Sequence, residues 1–395
     1  MKYAHQYIKS AVLLLESYDG SVPLAAFLKN HFSQHKKFGS KDRKYIAQLC
    51  YNYFRLGHAA KKLSREEGIR VAVFLTSDTV EEWIELFPEN WISNWSAELN
   101  DRISFIATVH PAFDINQLFP FQDLLSNEID ATAFSVSHLT QPDLFIRVRP
   151  GRFQKVIGKL TAAKLIFHQL SETTLSLPNG TKLEDVLEIE KDVVIQDYSS
   201  QKVGELFNAI SEKITTVWDC CAASGGKSIL AKDLLGEQLQ VTVSDLRASI
   251  LHNLNLRFQR AGMVGYKTYV ADLSDNFRAT VAGLKDATFD LVIFDAPCSG
   301  SGTWSRSPEQ LYYFKKPKLE PFLQLQQQIV KNILPSVKKE GYLLYITCSV
   351  FAGENEAMAA FIQANPGFTL IKQHLIKGYA EKADTMFAAL FRKTA

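Results

Sequence analysis

Apolar positions keep a helical spacing up to about residue 140, alternate at period two just beyond it, and from about Val194 gather into short runs between amphipathic stretches. These patterns predict three segments. In residues 1–140, Ile8, Val12, Leu13 and Leu15 recur at helical spacing, and Ser21-Val22-Pro23 sets a cap and an early proline ahead of a helix over Val22 to Phe32. Ser40 is placed to cap a longer helix that runs through Leu56 and is ended by Gly57. Its rings, Tyr45, Tyr51, Tyr53 and Phe54, are expected mainly in the core. In residues 141–193 the alternating run Leu144 to Arg149, a helical piece from Phe153 to Ala163, and strand-like pieces broken at Pro178-Asn179-Gly180 predict a small α/β module.

Residues 194–395 alternate between strand and helix patterns. Strands are predicted at Thr215 to Trp218, Gln240 to Ser244, Lys267 to Val270, Phe289 to Phe294 and Tyr342 to Ile346, with two more near 368–373 and 385–391. Helices are predicted near 228–235, 247–261 and 321–338. Such alternation implies an α/β fold with a doubly wound, mostly parallel, seven-stranded Rossmann-like sheet. Sheets of this kind bind ligands at the carboxyl ends of their strands, where the strand order reverses.

Composition changes this picture little. The 395 residues suffice for two or three domains, and 46% hydrophobic with 22% charged residues describe an ordinary globular chain. The net charge of +2 is uninformative, but its distribution is not. Basic residues predominate from Lys36 to Arg70 (Lys36, Lys37, Lys41, Arg43, Lys44, Arg55, Lys61, Lys62) and again at Arg147, Arg149, Arg152, Lys155, Lys159 and Lys164. Between them, Asp78 to Asp130 is acidic apart from Arg102. A polyanion would meet the basic runs, and the second run makes the α/β module the first candidate for gripping RNA. Five cysteines without paired spacing argue for a reducing compartment and against a disulfide framework or a zinc site. The start, Met1-Lys2-Tyr3-Ala4-His5-Gln6, shows no leader-like apolar core, and no apolar run approaches about eighteen residues. The expectation is a cytoplasmic protein with no membrane contact, and nothing demands more than a monomer.

The candidate chemistry falls at the strand ends. After the first strand, Asp219-Cys220-Cys221-Ala222-Ala223-Ser224-Gly225-Gly226-Lys227-Ser228 turns into a helix, a geometry that brings backbone N–H groups close to a ligand. A P-loop would need a glycine where Cys221 stands, which sets that reading aside. An ordinary glycine turn is the simplest reading of the loop alone. Asp245 and Asp272, after the second and third strands, move the reading to a nucleoside cofactor: Asp245 is suited to ribose hydroxyls and Asp272 to an adenine amine. Asp295-Ala296-Pro297-Cys298-Ser299-Gly300 follows the fourth strand and Thr347-Cys348-Ser349 the fifth. Two cysteines at neighbouring strand tips read as reactive thiols, whereas Cys50 and Cys220 read as packing.

These loops resemble those of the RsmB/Sun-type RNA cytosine-C5 methyltransferases. The family's Asp-x-Cys-Ala-Ala-Pro-Gly-Gly-Lys loop is matched at 219–227, its Asp-Ala-Pro-Cys-Ser-Gly loop at 295–300, and its Thr-Cys-Ser with a following Glu-Asn-Glu at 347–349 and 354–356. Gln196-Asp197-Tyr198-Ser199-Ser200-Gln201 and Asp384 to Leu390 agree as well. The resemblance is strong over 194–395 and weaker over 141–193. In the N-terminal region it rests on Lys41-Asp42-Arg43 and the helical pattern. Two departures stand out: Ser224 replaces the usual proline, and Ser305-Arg306 stands where many members have paired arginines.

The resemblance implies S-adenosylmethionine as cofactor, held by Cys221, Ala222, Ala223, Ser224, Gly225, Gly226, Lys227, Asp245, Asp272 and Asp295. It implies a cytosine in RNA as substrate, ribosomal RNA first and transfer RNA second. By analogy Cys348 is the nucleophile, Cys298 assists removal of the carbon-5 proton, Asp295 holds the base, and Lys227 helps place the base or the cofactor carboxylate; no metal is called for. Two rival readings are a DNA cytosine-C5 methyltransferase acting through Cys298, and a non-catalytic RNA-binding or ribosome-assembly factor.

Overall fold

The computed structural model describes residues 3–394; Met1 and Lys2, part of the start read for a leader, and Ala395 lie outside the described residues. The chain forms two compact units. One comprises Met1–Asp123, Asp130–Gln141 and Thr303–Lys316; the other comprises Leu124–Ile129, Pro142–Gly302 and Pro317–Ala395. The sequence division at 140/141 and 193/194 differs from this at three places: residues 303–316 join the first unit, Leu124–Ile129 join the second, and the 142–193 segment shares the second unit with the large sheet.

The first unit is helical, as its spacing predicts. The long helix spans Ser40–Arg55 and buries Ile46, Leu49, Cys50, Tyr53 and Phe54. Its cap differs from expectation. Ser40 is already helical, and the Asp42 carboxylate instead accepts from the Gly39 N–H at 2.9 Å. The preceding helix begins after Pro23, at Leu24, and continues to Gln34. In the first basic run Lys36, Lys37, Lys41, Lys44, Lys61 and Lys62 are exposed, but Arg55 is not available to a partner. It is 2% exposed and donates to the carbonyls of His138, Thr140 and Ser305, all within this unit.

Among the described residues of the second unit, eleven strands form two sheets. β1 (Leu144–Val148), β2 (His168–Gln169), β3 (Thr174–Leu177) and β4 (Val193–Ile195) make an antiparallel sheet of order β2-β3-β1-β4. The helix Phe153–Ala162 packs Val156 and Leu160 onto Ile146, Val148 and Leu175. The second basic run is largely spent inside this unit. Arg147 and Arg149 bracket the Asp233 carboxylate at 2.6 and 2.7 Å, and Lys155 and Lys159 turn to Asp192. Arg152 and Lys164 are left exposed.

The larger sheet contains β5 (Thr216–Asp219), β6 (Gln240–Asp245), β7 (Lys267–Val270), β8 (Phe289–Asp295), β9 (Val337–Thr347), β10 (Phe368–Ile376) and β11 (Met386–Lys393). Its order is β10-β11-β9-β8-β5-β6-β7, with β11 antiparallel and the five strands from β9 to β7 parallel. This is the doubly wound sheet the alternation predicted. One helix was read too far. Helical structure predicted to 338 stops at Ile333 with a short 3₁₀ turn, because Pro335 lacks an N–H and crowds the preceding turn, and β9 starts at Val337. The chain builds outward from β5 in one direction and from β8 in the other, so the switch in strand order lies between them. Their carboxyl ends therefore open the crevice in which a ligand is expected.

Candidate active site

β5 delivers Asp219 to the sheet edge, where it is fully buried and accepts from Ser228 Oγ at 2.6 Å. Burial pushes its carboxyl up to about 7. The loop that follows is pinned on both sides. The Ala222 N–H donates to the Ser244 carbonyl at 2.9 Å and the Ala223 N–H to Asp245 Oδ2 at 3.1 Å. Gly225 has φ +79° just before the helix Gly226–Leu235, and a Cβ there would lie 2.4 Å from the Phe258 ring. Gly225→Ala is therefore expected to cost about 2 to 4 kcal/mol of stability, from left-handed strain plus overpacking, as measured by urea unfolding. Ser224 is tethered: Arg257 donates to its Oγ at 2.9 Å and its carbonyl at 3.2 Å, and is itself paired to Glu190 at 2.8 Å.

Two cavities open on this loop. The larger, about 550 Å³, is lined by Cys221 and Ala223 of the loop, by Asp245, Asp272 and Arg247, by Asp295 and Cys298, and by an apolar wall of Leu246, Leu273, Phe322, Leu325 and Ile329. The other, about 290 Å³, is lined by Ala222, Ala223, Ser224, Gly226 and Lys227, by Asp295 and Cys348, and by Gln196, Ser200, Asp384 and Met386. Ala223 and Asp295 are common to both. Of the residues expected to hold a cofactor, Cys221, Ala223, Asp245, Asp272 and Asp295 thus face the larger space, while Ala222, Ser224, Gly226 and Lys227 face the smaller; Gly225 acts through the backbone turn. Asp245 already accepts from Arg247 at 3.0 and 3.1 Å and from Ala223, and Asp272 from the Ser274 N–H at 2.9 Å and hydroxyl at 2.5 Å.

The sequence reading missed the apolar wall. Leu246 and Leu273 each follow the aspartate at a strand end, and Phe322, Leu325 and Ile329 share one helical face by spacing. Both signals were present, but an apolar residue signals a core before it signals a pocket.

At the meeting point of the cavities, Lys227 Nζ lies 3.0 Å from Asp295 Oδ2 and 2.8 Å from Ser200 Oγ. Cys298 Sγ and Cys348 Sγ are 3.4 Å apart. The Cys348 sulfur, then burial, then the Glu354 carboxylate push the Cys298 thiol well above its usual range. Cys298 therefore keeps its proton at neutral pH and can donate it toward Cys348. Cys50 and Cys220 are both fully buried, as packing predicts, but Cys220 also borders the larger cavity, whereas Cys50 lines neither.

Comparison with known proteins adds to this geometry. Residues 208–391 match the family model of the 16S rRNA methyltransferases RsmB/F. The probable ribosomal RNA small subunit methyltransferase B of Bacillus subtilis is 34% identical over 236 residues, 58% of this chain and 52% of that protein. Its counterpart in Synechocystis is 32% identical over 227 residues, 55% of this chain and 48% of that protein. The chain thus spans about half the length of the curated relatives it matches. The crystal structure of PH0851 superposes with a TM-score of 0.69, covering 99% of this chain and 98% of that one at 19% identity, a likeness of fold.

Proposed function

We propose that this chain, whose residues 208–391 match the family model of the RsmB/F methyltransferases, methylates carbon 5 of a cytosine in small-subunit ribosomal RNA, using S-adenosylmethionine and a covalent bond from Cys348 to the base. The observation that carries the reading is the pair of thiols 3.4 Å apart where two cavities meet at Asp295. The larger cavity fits the cofactor. Its apolar wall would suit an adenine, Asp245 and Asp272 would supply acceptors for ribose and amine, and Ala223 would offer backbone to the methionine end. When bound, S-adenosylmethionine supplies an electrophilic methyl group to carbon 5.

The chain's own residues do the rest. Carbon 5 of cytosine is a weak nucleophile, so the Cys348 thiolate first bonds to carbon 6 and the displaced pair moves into the ring. N3 takes a proton from the Lys227 and Asp295 pair, and Asp295 accepts from the exocyclic amine. Carbon 5 then has enamine character and takes the methyl group. Once the Cys348 sulfur is bonded to carbon 6 and no longer holds the Cys298 proton, Cys298 releases that proton to solvent and removes the carbon-5 hydrogen as a proton. The freed pair restores the ring double bond, expels Cys348 as a thiolate, and N3 returns its proton. Charge and protons balance to one proton released per methyl transferred.

A stacked cytosine cannot reach the smaller cavity, so the target is an extruded or single-stranded base. The exposed lysines Lys36, Lys37, Lys41 and Lys44 offer contacts to phosphates. Among the described residues no helix is long and apolar enough to cross a membrane, and we take the enzyme to act in the cytoplasm as a monomer. Bisulfite mapping of RNA from cells with and without the gene is expected to show one or more 5-methylcytosines of small-subunit RNA that vanish on deletion. A site in transfer RNA would change the substrate, and an unchanged map would leave only RNA binding.

A further inference from the structure

Below the two thiols lies a carboxylate that the reaction as written does not use. Glu354 is fully buried, in the turn that leads into the helix Glu356–Gln363. Its Oε1 accepts from the Ser299 N–H at 2.8 Å and from Gln326 Nε2 at 3.1 Å. Its Oε2 accepts from Ser299 Oγ and Ser349 Oγ, both at 2.5 Å. Ser299 follows Cys298, and Ser349 follows Cys348. Gln326 also donates to the Pro297 carbonyl at 2.9 Å, on the other side of Cys298. The backbone of the turn is fixed in its own right, since Tyr345 OH donates to the Glu354 carbonyl at 2.7 Å. Asn355 Nδ2 donates to the Ser349 carbonyl at 3.0 Å.

Among the described residues this charge is met by hydrogen-bond donors alone. A buried carboxylate is a costly way to stabilise a fold, and an apolar side chain of equal volume would serve packing as well. What a carboxylate does that an apolar side chain cannot is accept from several donors at once, in a fixed plane. Here the donors come from both cysteine loops, one on each side of the S···S contact. We propose that Glu354 is the positioning residue that holds Cys298 and Cys348 in mutual register, by clamping the residue after each cysteine to a single carboxylate plane. The inference deepens the proposed methyl transfer and rests on that reading for its consequence in catalysis; the clamp itself does not need it. Glu354 touches neither cavity and acts only through the loops.

The test compares full-length wild type, Glu354→Ala and Glu354→Gln in two ways. The first is bridging of the thiols by phenylarsine oxide, which links two sulfurs held close together and is read by intact mass and loss of free thiol. The second is methyl transfer, with kcat and KM for RNA measured separately. Wild type is expected to bind one arsenical across Cys298 and Cys348. Glu354→Ala should lose the bridge and about 10²-fold in kcat, with KM little changed, as misplacement of reacting groups by about an ångström does. Glu354→Gln, which keeps the shape and lets the two hydroxyls reverse their bonds, should recover most of the bridging and sit roughly tenfold below wild type. If Glu354→Ala bridges like wild type, the clamp is refuted, whatever its kcat. If Glu354→Ala does not fold, Ser349→Ala removes the hydroxyl through which the Cys348 loop reaches the carboxylate, and full bridging in that variant refutes the clamp equally. Loss of bridging beside a wild type that transfers no methyl group would keep the clamp and reject the methyltransferase reading.

Discussion

Replacing Cys348 by alanine is expected to lower kcat by at least about 10⁴-fold, equivalent to about 5 kcal/mol of transition-state stabilisation, with cofactor affinity unchanged. The size follows from the chemistry. Without a bond at carbon 6, carbon 5 lacks the electron density to take a methyl group, and no neighbouring group replaces that bond. Cys298 stands 3.4 Å away, but its thiol is pushed up and its loop comes from a different strand, so it cannot add to the same ring atom in its place. The change removes a half-buried side chain at a loop and leaves β9 and its pairing with β8 and β11 intact, so folding should persist. Filter-binding of labelled cofactor beside a methyl-transfer assay separates the two effects. A variant with near wild-type turnover would remove Cys348 from the reaction.

Cys298→Ala is expected to fail differently. Addition and methyl transfer still proceed, but the carbon-5 proton has no base, so the protein stalls on its RNA and turnover falls by about 10² to 10⁴-fold. A complex that survives denaturing electrophoresis and depends on S-adenosylmethionine should accumulate. The raised pKa of Cys298 supports this division of labour. The Cys348 sulfur, burial and the Glu354 carboxylate together keep the Cys298 proton in place. On the proposed route a bond from Cys348 to carbon 6 would remove the first and largest of these, so that Cys298 would give up its proton more readily when the product must leave. Under the DNA-methyltransferase reading the two cysteines trade places: Cys298→Ala would then form no adduct, and DNA in place of RNA would be the substrate.

Much of this site is legible in the chain because a parallel sheet writes its interior as short apolar runs and its ligand face as the polar residues that end them. Asp219, Asp245, Asp295 and Thr347 each close a strand at the residue the runs imply. What stayed hidden depends on partners distant in sequence. Arg147 and Arg149 read as a basic face, yet Asp233, far along the chain, takes both. Arg55 read as part of an RNA-facing run, yet three carbonyls bury it. Charge patterns give the presence of a cation and not its pairing. Glu354 was visible only as part of a matched motif, since its four donors come from Ser299, Gln326 and Ser349 and meet only in the folded chain. The helix end at Ile333 was legible in Pro335 and was overrun because the apolar spacing continued past it.

The central claim, that the sulfur of Cys348 joins the RNA base, is tested most directly by isolating the Cys298→Ala protein crosslinked to its RNA, digesting both, and sequencing the nucleotide-bearing peptide by tandem mass spectrometry. The account predicts a methylated cytidine attached to Cys348. A nucleotide on any other residue, or no covalent product with an active wild type alongside, contradicts it.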